Sequence, residues 1–186
     1  MRLFARFPVP GEAKTRLIPA LGAAGAAALH RRLVERTIAT VHQADLPLAI
    51  RITGAPAADF AEWLGDVTLE EQGEGDLGER MARVPAPAIL LGADVPDLTP
   101  LHLRRAADAL ATHEVAIGPA TDGGYYLLAF RRPVPALFAP MPWGTGSVFA
   151  ETVRRMEAGG VTHTVLHPLD DCDRPDDLAR WPELAA

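Results

Sequence analysis

The chain has 186 residues, 48% of them hydrophobic, which is enough apolar material for one core of ordinary domain size. Its 18 basic and 24 acidic residues give a net charge of -6 without a basic cluster, which argues against a nucleic-acid partner. No segment reads as a signal peptide or a membrane span, and a single cysteine, Cys172, excludes an internal disulfide. We therefore expect one domain over residues 1–186, in a cytoplasmic protein with no membrane insertion.

Short apolar runs alternate with segments of helical periodicity along the chain. The predicted strands are residues 2–7, 48–53, 67–69, 88–92, 115–118, 125–130 and 162–166. The predicted helices are residues 21–43, 57–64, 100–112, 147–158 and a short one at 176–180, with a polar loop at 70–78. This alternation is typical of an α/β domain with a largely parallel sheet, in which ligands collect beyond the carboxyl ends of the strands.

The loop after the first strand is rich in proline and glycine and carries the only lysine beside 17 arginines, Lys14. Because the chain otherwise uses arginine, a retained lysine suggests a place where a compact ammonium is needed. Gly11 permits close backbone approach, and Lys14 with Arg16 could bind a polyphosphate. Ala13 stands where a Walker P-loop needs glycine. A flexible basic loop is the alternative.

Asp94 follows the clearest buried strand. A carboxylate at the end of such a strand can hold Mg²⁺, which proteins bind through one or two carboxylates together with substrate phosphates and water. A turn or helix cap is the alternative, although Asp97 fits that role better because it lies closer to Thr99 and Pro100.

Asp122 begins an Asp-Gly-Gly-Tyr sequence between two predicted strands. Gly123 and Gly124 would let backbone amides approach a ligand while Asp122 supplies a base or an orienting contact. A tight turn explains the same sequence equally well.

Three carboxylates in four positions follow the last strand, at Asp170, Asp171 and Asp173. Such charges repel one another unless a cation or a basic group joins them, and a shared divalent metal with Asp173 or Asp171 as ligand is attractive. Trp143 and Thr145 form either the wall of an acceptor site or ordinary packing.

Six motifs in order resemble a known family. They are Phe-x-Arg-x-Pro-x-Pro-Gly-x-x-Lys-Thr-Arg-Leu at 4–17, Gln-Gly-x-Gly-Asp-Leu-Gly-Glu-Arg-Met at 72–81, Gly-x-Asp-x-Pro-Asp-Leu at 92–98, Gly-Pro-Ala-x-Asp-Gly-Gly-Tyr-Tyr at 118–126, Pro-Trp-Gly-Thr at 142–145 and Asp-x-Asp-x-Pro-x-Asp-Leu at 171–178. Together they resemble the bacterial DUF2064 proteins, also called selenodomain-associated transferase 1, of the GT-A nucleotide-diphospho-sugar transferase superfamily. The chain departs from that pattern at Gly146, where an Asp commonly follows Trp-Gly-Thr, and in a shortened segment between Met81 and Ala88.

The resemblance implies a three-layer α/β/α GT-A-like (Rossmann-like) fold with a mostly parallel sheet. It implies that Lys14 and Arg16 face the nucleotide phosphates and that Asp94 and Asp173, with Asp171, hold Mg²⁺ or Mn²⁺. Residues expected to contact the substrate are Pro10, Gly11, Thr15, Gln72, Asp76, Arg80, Gly123, Gly124, Tyr125, Trp143 and Thr145, with Gln72, Asp76 and Arg80 at the rim of the pocket.

The expected activity is metal-dependent transfer from a nucleotide-activated donor, most simply glycosyl transfer from a nucleotide sugar to a small acceptor of unknown identity. Lys14, Arg16, Asp94 and Asp122 are the expected catalytic residues. The related phospholactate guanylyltransferases carry a similar Lys-x-Arg-Leu loop, so a nucleotidyltransferase that releases pyrophosphate is the first alternative. A nucleotide-binding protein without catalytic activity is the second.

Overall fold

The computed structural model describes residues 1–184, which are organised around one seven-stranded sheet. The strands are β1 (Arg2–Arg6), β2 (Ala49–Thr53), β3 (Thr68–Glu71), β4 (Ala88–Leu91), β5 (Val115–Pro119), β6 (Tyr125–Phe130) and β7 (His163–Val165). Their order is β3-β2-β1-β4-β6-β5-β7, and every pairing is parallel except those of β6 with β4 and β5. The predicted mostly parallel α/β sheet is thereby confirmed.

The described part of the chain has five α-helices: α1 (Ile18–Gln43), α2 (Ala57–Leu64), α3 (Leu77–Ala82), α4 (Pro100–Ala109) and α5 (Val148–Ala158). The structure places the start of α1 at Ile18, but Gly22 has a φ of 69° and interrupts the helix, so the predicted start at residue 21 lies close to the regular part. Thr99 is the N-cap of α4 and Pro100 its first residue, as expected.

The predicted polar loop over residues 70–78 is wrong at both ends. β3 continues to Glu71, and α3 begins at Leu77. Asp76 caps this helix by accepting a hydrogen bond from the backbone N–H of Glu79, whose side chain accepts in return from the N–H of Asp76. Short 3-10 turns also lie at Thr15–Leu17, Pro135–Phe138 and Pro182–Leu184, where no element was expected, and at Pro175–Arg180 in place of the terminal helix.

Hydrophobic clusters lie on both faces of the sheet, because successive strand residues point to opposite sides. Leu91 and Leu127 pack with residues of α1, α2 and α4, whereas Leu90 and Leu128 pack with residues of α3 and α5. The result is three layers, helix–sheet–helix, as predicted. Within residues 1–184, no helix is both long and apolar enough to cross a membrane.

The sheet reverses its winding between β1 and β4. From β1 the chain proceeds through β2 to β3 on one side, and it then returns to form β4 on the other side of β1. Such a switch point opens a crevice beyond the carboxyl ends of the two strands. A third segment closes on this crevice, since the backbone N–H of Cys172 donates to the carbonyl of Asp94 at 2.8 Å. The loops after β1, β4 and β7 therefore meet.

Candidate active site

The single lysine of the chain, Lys14, is the centre of a cluster of opposite charges. Its Nζ lies 2.6 Å from Oδ1 of Asp94 and 2.8 Å from Oδ1 of Asp173, and it donates a 2.7 Å hydrogen bond to the backbone carbonyl of Cys172. An ammonium has three N–H donors, so these three acceptors use all of them. The acidic stretches around residues 94 and 173 thus converge as expected, and the cation on which they converge is Lys14 itself.

The backbone at Lys14 directs this side chain inward. Its φ of 48° and ψ of 45° lie in the left-handed region, which costs a non-glycine residue about 1 kcal/mol. Burial alone would lower the pKa of Lys14, but the charges of Asp94 and Asp173 outweigh burial and raise this pKa above its ordinary value. Burial favours the neutral form of Asp94, yet Lys14 outweighs it and lowers the pKa of that carboxyl. Lys14 and Asp94 are therefore both charged at neutral pH.

A cavity of about 440 Å³ opens beside this cluster, and we call it the charged cavity. It is lined by Arg6, Glu12, Ala13, Lys14, Thr15, Arg16, His30, Asp94, Asp122, Gly144 and Asp173. Arg16 is 56% exposed and donates from Nη1 to Oδ2 of Asp173 at 3.0 Å. Pro10 and Gly11, predicted to contact the substrate from the same loop, are exposed but do not line this cavity.

A second cavity, of about 240 Å³, lies on the other side of the acidic residues, and we call it the aromatic cavity. It is lined by Leu77, Gly92, Asp94, Val95, Ala120, Asp122, Gly124, Tyr125, Tyr126, Trp143, Gly144, Thr145, Val148, Asp171 and Asp173. The hydroxyl of Tyr126 donates to the carbonyl of His167 at 3.1 Å, and burial raises its pKa to about 12. Burial also raises the pKa of Tyr125, whose hydroxyl contacts the sulfur of Met81 at 3.6 Å. Both phenols are therefore neutral over the physiological range.

The two cavities share one boundary. Asp94, Asp122, Gly144 and Asp173 line both of them. Oδ1 of Asp122 accepts a 2.8 Å hydrogen bond from the N–H of Gly124, so the predicted tight turn between β5 and β6 is present. Asp122 thus has a local structural role and also faces both cavities.

Asp171 faces the aromatic cavity without reaching the charged one. Burial, and to a smaller extent the negative charge of Asp122, raise the pKa of Asp171 to about 6. Asp171 therefore stays protonated to a higher pH than an ordinary carboxyl group, and it lies near the carboxylates that line both cavities.

Gly123 explains why the turn tolerates no larger residue. Its φ is 90°, and a Cβ at this position would lie 2.2 Å from the carbonyl oxygen of Gly146. A Cβ on Gly146 would lie 3.1 Å from the carbonyl oxygen of Asp122. The turn and the segment after Trp143 are therefore in close backbone contact, and Gly146 is part of that contact.

The wall that carries Trp143 is held in place from α5. Arg155 donates from its guanidinium to the carbonyls of Ala136, Ala139 and Pro140 at 3.1, 2.7 and 3.0 Å. It also forms a 2.6 Å ion pair with Glu151. The segment that leads to Trp143 is thus bound to α5 by contacts outside the lining of the aromatic cavity.

Gln72, Asp76 and Arg80 do not line either cavity. The side-chain amide of Gln72 is buried and donates to the carbonyls of Ala5 and Arg51, while Asp76 caps α3. Their role in substrate contact stays a prediction. The observed effect of Asp76 is to fix the start of α3, whose first residue, Leu77, does line the aromatic cavity.

Several lining residues escaped the sequence reasoning, above all Arg6 and His30. His30 lies in the middle of α1 and donates from Nε2 to the carbonyl of Arg6 at 2.9 Å. From the sequence alone, a histidine at a buried position of a helix cannot be distinguished from one that only packs in the core. Arg6, in contrast, ends β1, and its position at the carboxyl end of a strand was a usable signal.

The carboxylates at the boundary fit a divalent cation such as Mg²⁺ or Mn²⁺ only in part. Within residues 1–184, no group of three or more His, Cys, Asp or Glu side chains is arranged to hold a metal. Asp94 is 48% exposed, and among the described residues its Oδ2 has no hydrogen bond or ion pair. Oxygen donors from one or two carboxylates suit Mg²⁺ when phosphates and water complete the shell. The site therefore fits a metal that arrives with its phosphate ligand.

Acidic groups thus lie at the switch point of an α/β sheet, between a charged and an aromatic cavity, in a fold of the GT-A-like nucleotide-diphospho-sugar transferase type. The family profile described as "Uncharacterized protein conserved in bacteria (DUF2064)" matches residues 33–145. The chain belongs to the DUF2064 family, as the motifs predicted. No curated protein matches its sequence.

Solved structures extend the comparison. A Desulfovibrio desulfuricans G20 protein, whose assignment as a nucleotide-diphospho-sugar transferase is itself provisional, is 32% identical with a TM-score of 0.88, over 95% of this chain and 83% of that one. Rv0371c of Mycobacterium tuberculosis H37Rv, solved in complex with manganese, is 23% identical with a TM-score of 0.55, over 98% and 97% of the two chains. The inositol-1-phosphate CTP transferase of T. maritima is 12% identical with a TM-score of 0.62, over 99% and 94%. The last two show a shared fold.

Proposed function

We propose that the protein is a metal-dependent transferase that moves a glycosyl group from a nucleotide sugar to a small acceptor. The observation that carries the proposal is the boundary formed by Asp94, Asp122 and Asp173 between a cavity that contains cationic side chains and one that contains aromatic side chains. Such a boundary suits a donor whose phosphates lie on one side and whose transferred group faces an acceptor on the other. The 32% identical relative supports the same class.

The charge balance of the charged cavity supports a metal. Its permanent cations are Arg6, Lys14 and Arg16, whereas four carboxylates line the same space. These carboxylates are Glu12, Asp94, Asp122 and Asp173. A polyphosphate entering this space meets no net positive charge, so an additional cation is needed to bind it. The manganese complex of Rv0371c shows that a protein of this fold binds such an ion.

In this mechanism the chain contributes position and electrostatics. Asp94 and Asp173 would hold Mg²⁺ or Mn²⁺, which supplies Lewis-acid stabilisation of the charge on the departing diphosphate. Arg16, more than half exposed, can move from Asp173 to a phosphate oxygen. The aromatic cavity would exclude water from the transferred group, and Asp122 would accept or orient the acceptor hydroxyl.

Product analysis tests the proposal. Purified protein is incubated with nucleotide sugars and Mg²⁺ or Mn²⁺, with water as acceptor when no other is present, and the released nucleotide is identified. Glycosyl transfer releases a nucleoside diphosphate. Asp94→Asn should abolish this release, whereas Asp108→Asn, an exposed carboxylate on α4 outside both cavities, should not change it.

A nucleotidyltransferase is the second candidate, because the fold is shared with a CTP transferase and with a CMP-Kdo synthetase solved with CTP. Such an enzyme attacks the α-phosphorus of a nucleoside triphosphate and releases pyrophosphate. Pyrophosphate in the same assay would replace the glycosyl proposal by this one. Nucleotide binding without metal-stimulated turnover of any donor would contradict both.

A further inference from the structure

The cations of the charged cavity differ in how freely they can reach a ligand. Lys14 is 4% exposed, and its three N–H donors are already directed at protein acceptors. Arg16 and Arg6 are 56% and 47% exposed, respectively. The guanidinium groups of Arg16 and Arg6 are therefore the cations that can contact a bound anion. The sequence predicted this role for Arg16 but not for Arg6.

Arg6 is held in a defined place at its backbone end. It is the last residue of β1 and pairs with Thr53 of β2. His30 fixes its carbonyl from α1. Gly54 makes room for its side chain, since a Cβ at that position would lie 3.1 Å from Cγ of Arg6. The stem is thus seated against neighbouring backbone, while the guanidinium lines the charged cavity.

Within residues 1–184, the guanidinium of Arg6 has one partner, the carboxylate of Glu12. Glu12 is 50% exposed and lies in the loop before Lys14, so the pair joins the end of β1 to that loop, and both residues line the charged cavity. An exposed ion pair of this kind contributes little to stability, because solvent screens both charges. A phosphate offers the same pair of oxygens to the guanidinium fork with a larger negative charge, so it can replace the carboxylate at small cost.

We propose that Arg6 binds the phosphate oxygens of the donor in the charged cavity and that Glu12 is its resting counter-ion, which the phosphate displaces. The inference rests on the proposed function in one respect, namely that this cavity takes the phosphate part of a nucleotide donor. It assigns the two exposed arginines to the ligand and leaves Lys14 with the carboxylates.

The two partners should act in opposite directions. Arg6→Gln removes a charge-assisted contact and should weaken phosphate binding about tenfold, with Arg6→Lys between it and the wild type. Glu12→Gln removes the competitor and should tighten binding about two- to fivefold, the range expected for losing an exposed ion pair. Because Glu12 acts through Arg6, the tightening should largely vanish in the double variant.

The experiment is calorimetric titration of the full chain with pyrophosphate at saturating Mg²⁺, after thermal unfolding has shown which variants are folded. Arg31 and Glu35 provide a matched control, an ion pair on α1 with side chains 50% and 47% exposed and outside both cavities. Arg31→Gln and Glu35→Gln should leave pyrophosphate affinity unchanged.

The outcomes separate the inference from the proposed function. Opposite shifts for Arg6→Gln and Glu12→Gln that are lost in the double variant support the inference. If pyrophosphate binds and Arg16→Gln weakens it while the Arg6 variants bind like the wild type, the role of Arg6 is overturned and the proposed function survives. Equal tightening by Glu12→Gln with and without Arg6 also overturns it. No binding of pyrophosphate or of any nucleotide would contradict both.

Discussion

The charged and the aromatic cavities meet at the same three carboxylates but are built by different means. The charged cavity depends on ion pairs between loops that follow β1, β4 and β7, with Lys14 at their centre. The aromatic cavity depends on packing and on backbone contacts, such as that of Gly123 with Gly146 and the clamp made by Arg155. Replacing an ionic residue should therefore affect mainly the charged side, and replacing a packing or clamping residue mainly the aromatic side, where Asp171 is the titratable exception.

Replacing Lys14 should have the largest effect and should be confined to the charged side. Lys14→Met removes the cation that Asp94 and Asp173 share and leaves only Arg16 beside Asp173, which we expect to lower the free energy of unfolding by about 3 kcal/mol. Lys14→Arg should still cost about 1–2 kcal/mol, because a planar guanidinium cannot direct three donors at the same three acceptors. Chemical denaturation of both variants measures these differences.

The loss caused by Lys14→Met should depend on pH in a definite direction. The raised pKa of Lys14 contributes stability below about pH 10 that is lost as pH rises further. The lowered pKa of Asp94 contributes stability above about pH 4 that is lost as pH falls. The difference between variant and wild type should thus be largest between these limits and shrink in acid. A difference independent of pH would show that Lys14 stabilises through packing alone.

Replacing Arg155 should loosen the aromatic side and spare the charged one. Arg155→Met removes hydrogen bonds to three carbonyls, and we expect a loss of about 1–2 kcal/mol. Hydrogen exchange should accelerate in residues 139–147 and stay unchanged in residues 7–17. Arg154→Met is the matched control. The guanidinium of Arg154 is 65% exposed and, among the described residues, bonds only Glu151. Faster exchange in both segments, or in both variants, would contradict the division into two regions.

Asp171 should give the smallest effect. Its pKa rises from 3.8 to about 6 in the folded chain, so the folded state holds this proton more tightly than the unfolded state does. The wild type therefore loses stability as pH rises from about 4 to 6, and Asp171→Asn should escape this loss. After allowance for partial exposure, we expect the variant to gain about 1 kcal/mol relative to wild type between pH 4 and 7. If the difference in free energy of unfolding between Asp171→Asn and the wild type were the same at about pH 4 and pH 7, the pKa of Asp171 would not be raised in the folded chain.

The fold was largely predictable because its signals are local. The buried run at β4 and the capped start of α4 are visible in composition alone, and residues that follow such strands belong to one edge of the sheet. Lys14, Asp94 and Asp173 each follow a strand, and they were therefore expected to lie at the same edge of the sheet, where the structure has them in contact. α3 was missed because a six-residue helix has too few turns to show periodicity, although its capping residues Asp76 and Glu79 were a readable sign.

The remainder depends on tertiary contacts that no local pattern carries. Arg6 is positioned by His30 of α1, which binds its carbonyl, and by Gly54, which follows β2 and leaves room for its side chain. The clamp of Arg155 joins α5 to carbonyls up to 19 positions away. The sequence favoured a divalent metal over a basic group as the cation that joins the carboxylates, and it did not show that Lys14 contacts both Asp94 and Asp173 in the described structure.

Nucleotide-dependent stabilisation at the shared boundary is the decisive measurement. Thermal unfolding of the wild type, Asp94→Asn and Asp108→Asn is followed with nucleotide sugars and nucleotides, each with and without Mn²⁺. A ligand that binds only the folded state raises the unfolding temperature, and we predict such a rise with Mn²⁺ in the wild type and in Asp108→Asn but not in Asp94→Asn. An equal rise in Asp94→Asn, or one that does not need the metal, would contradict the placement of a metal–nucleotide complex between the two cavities.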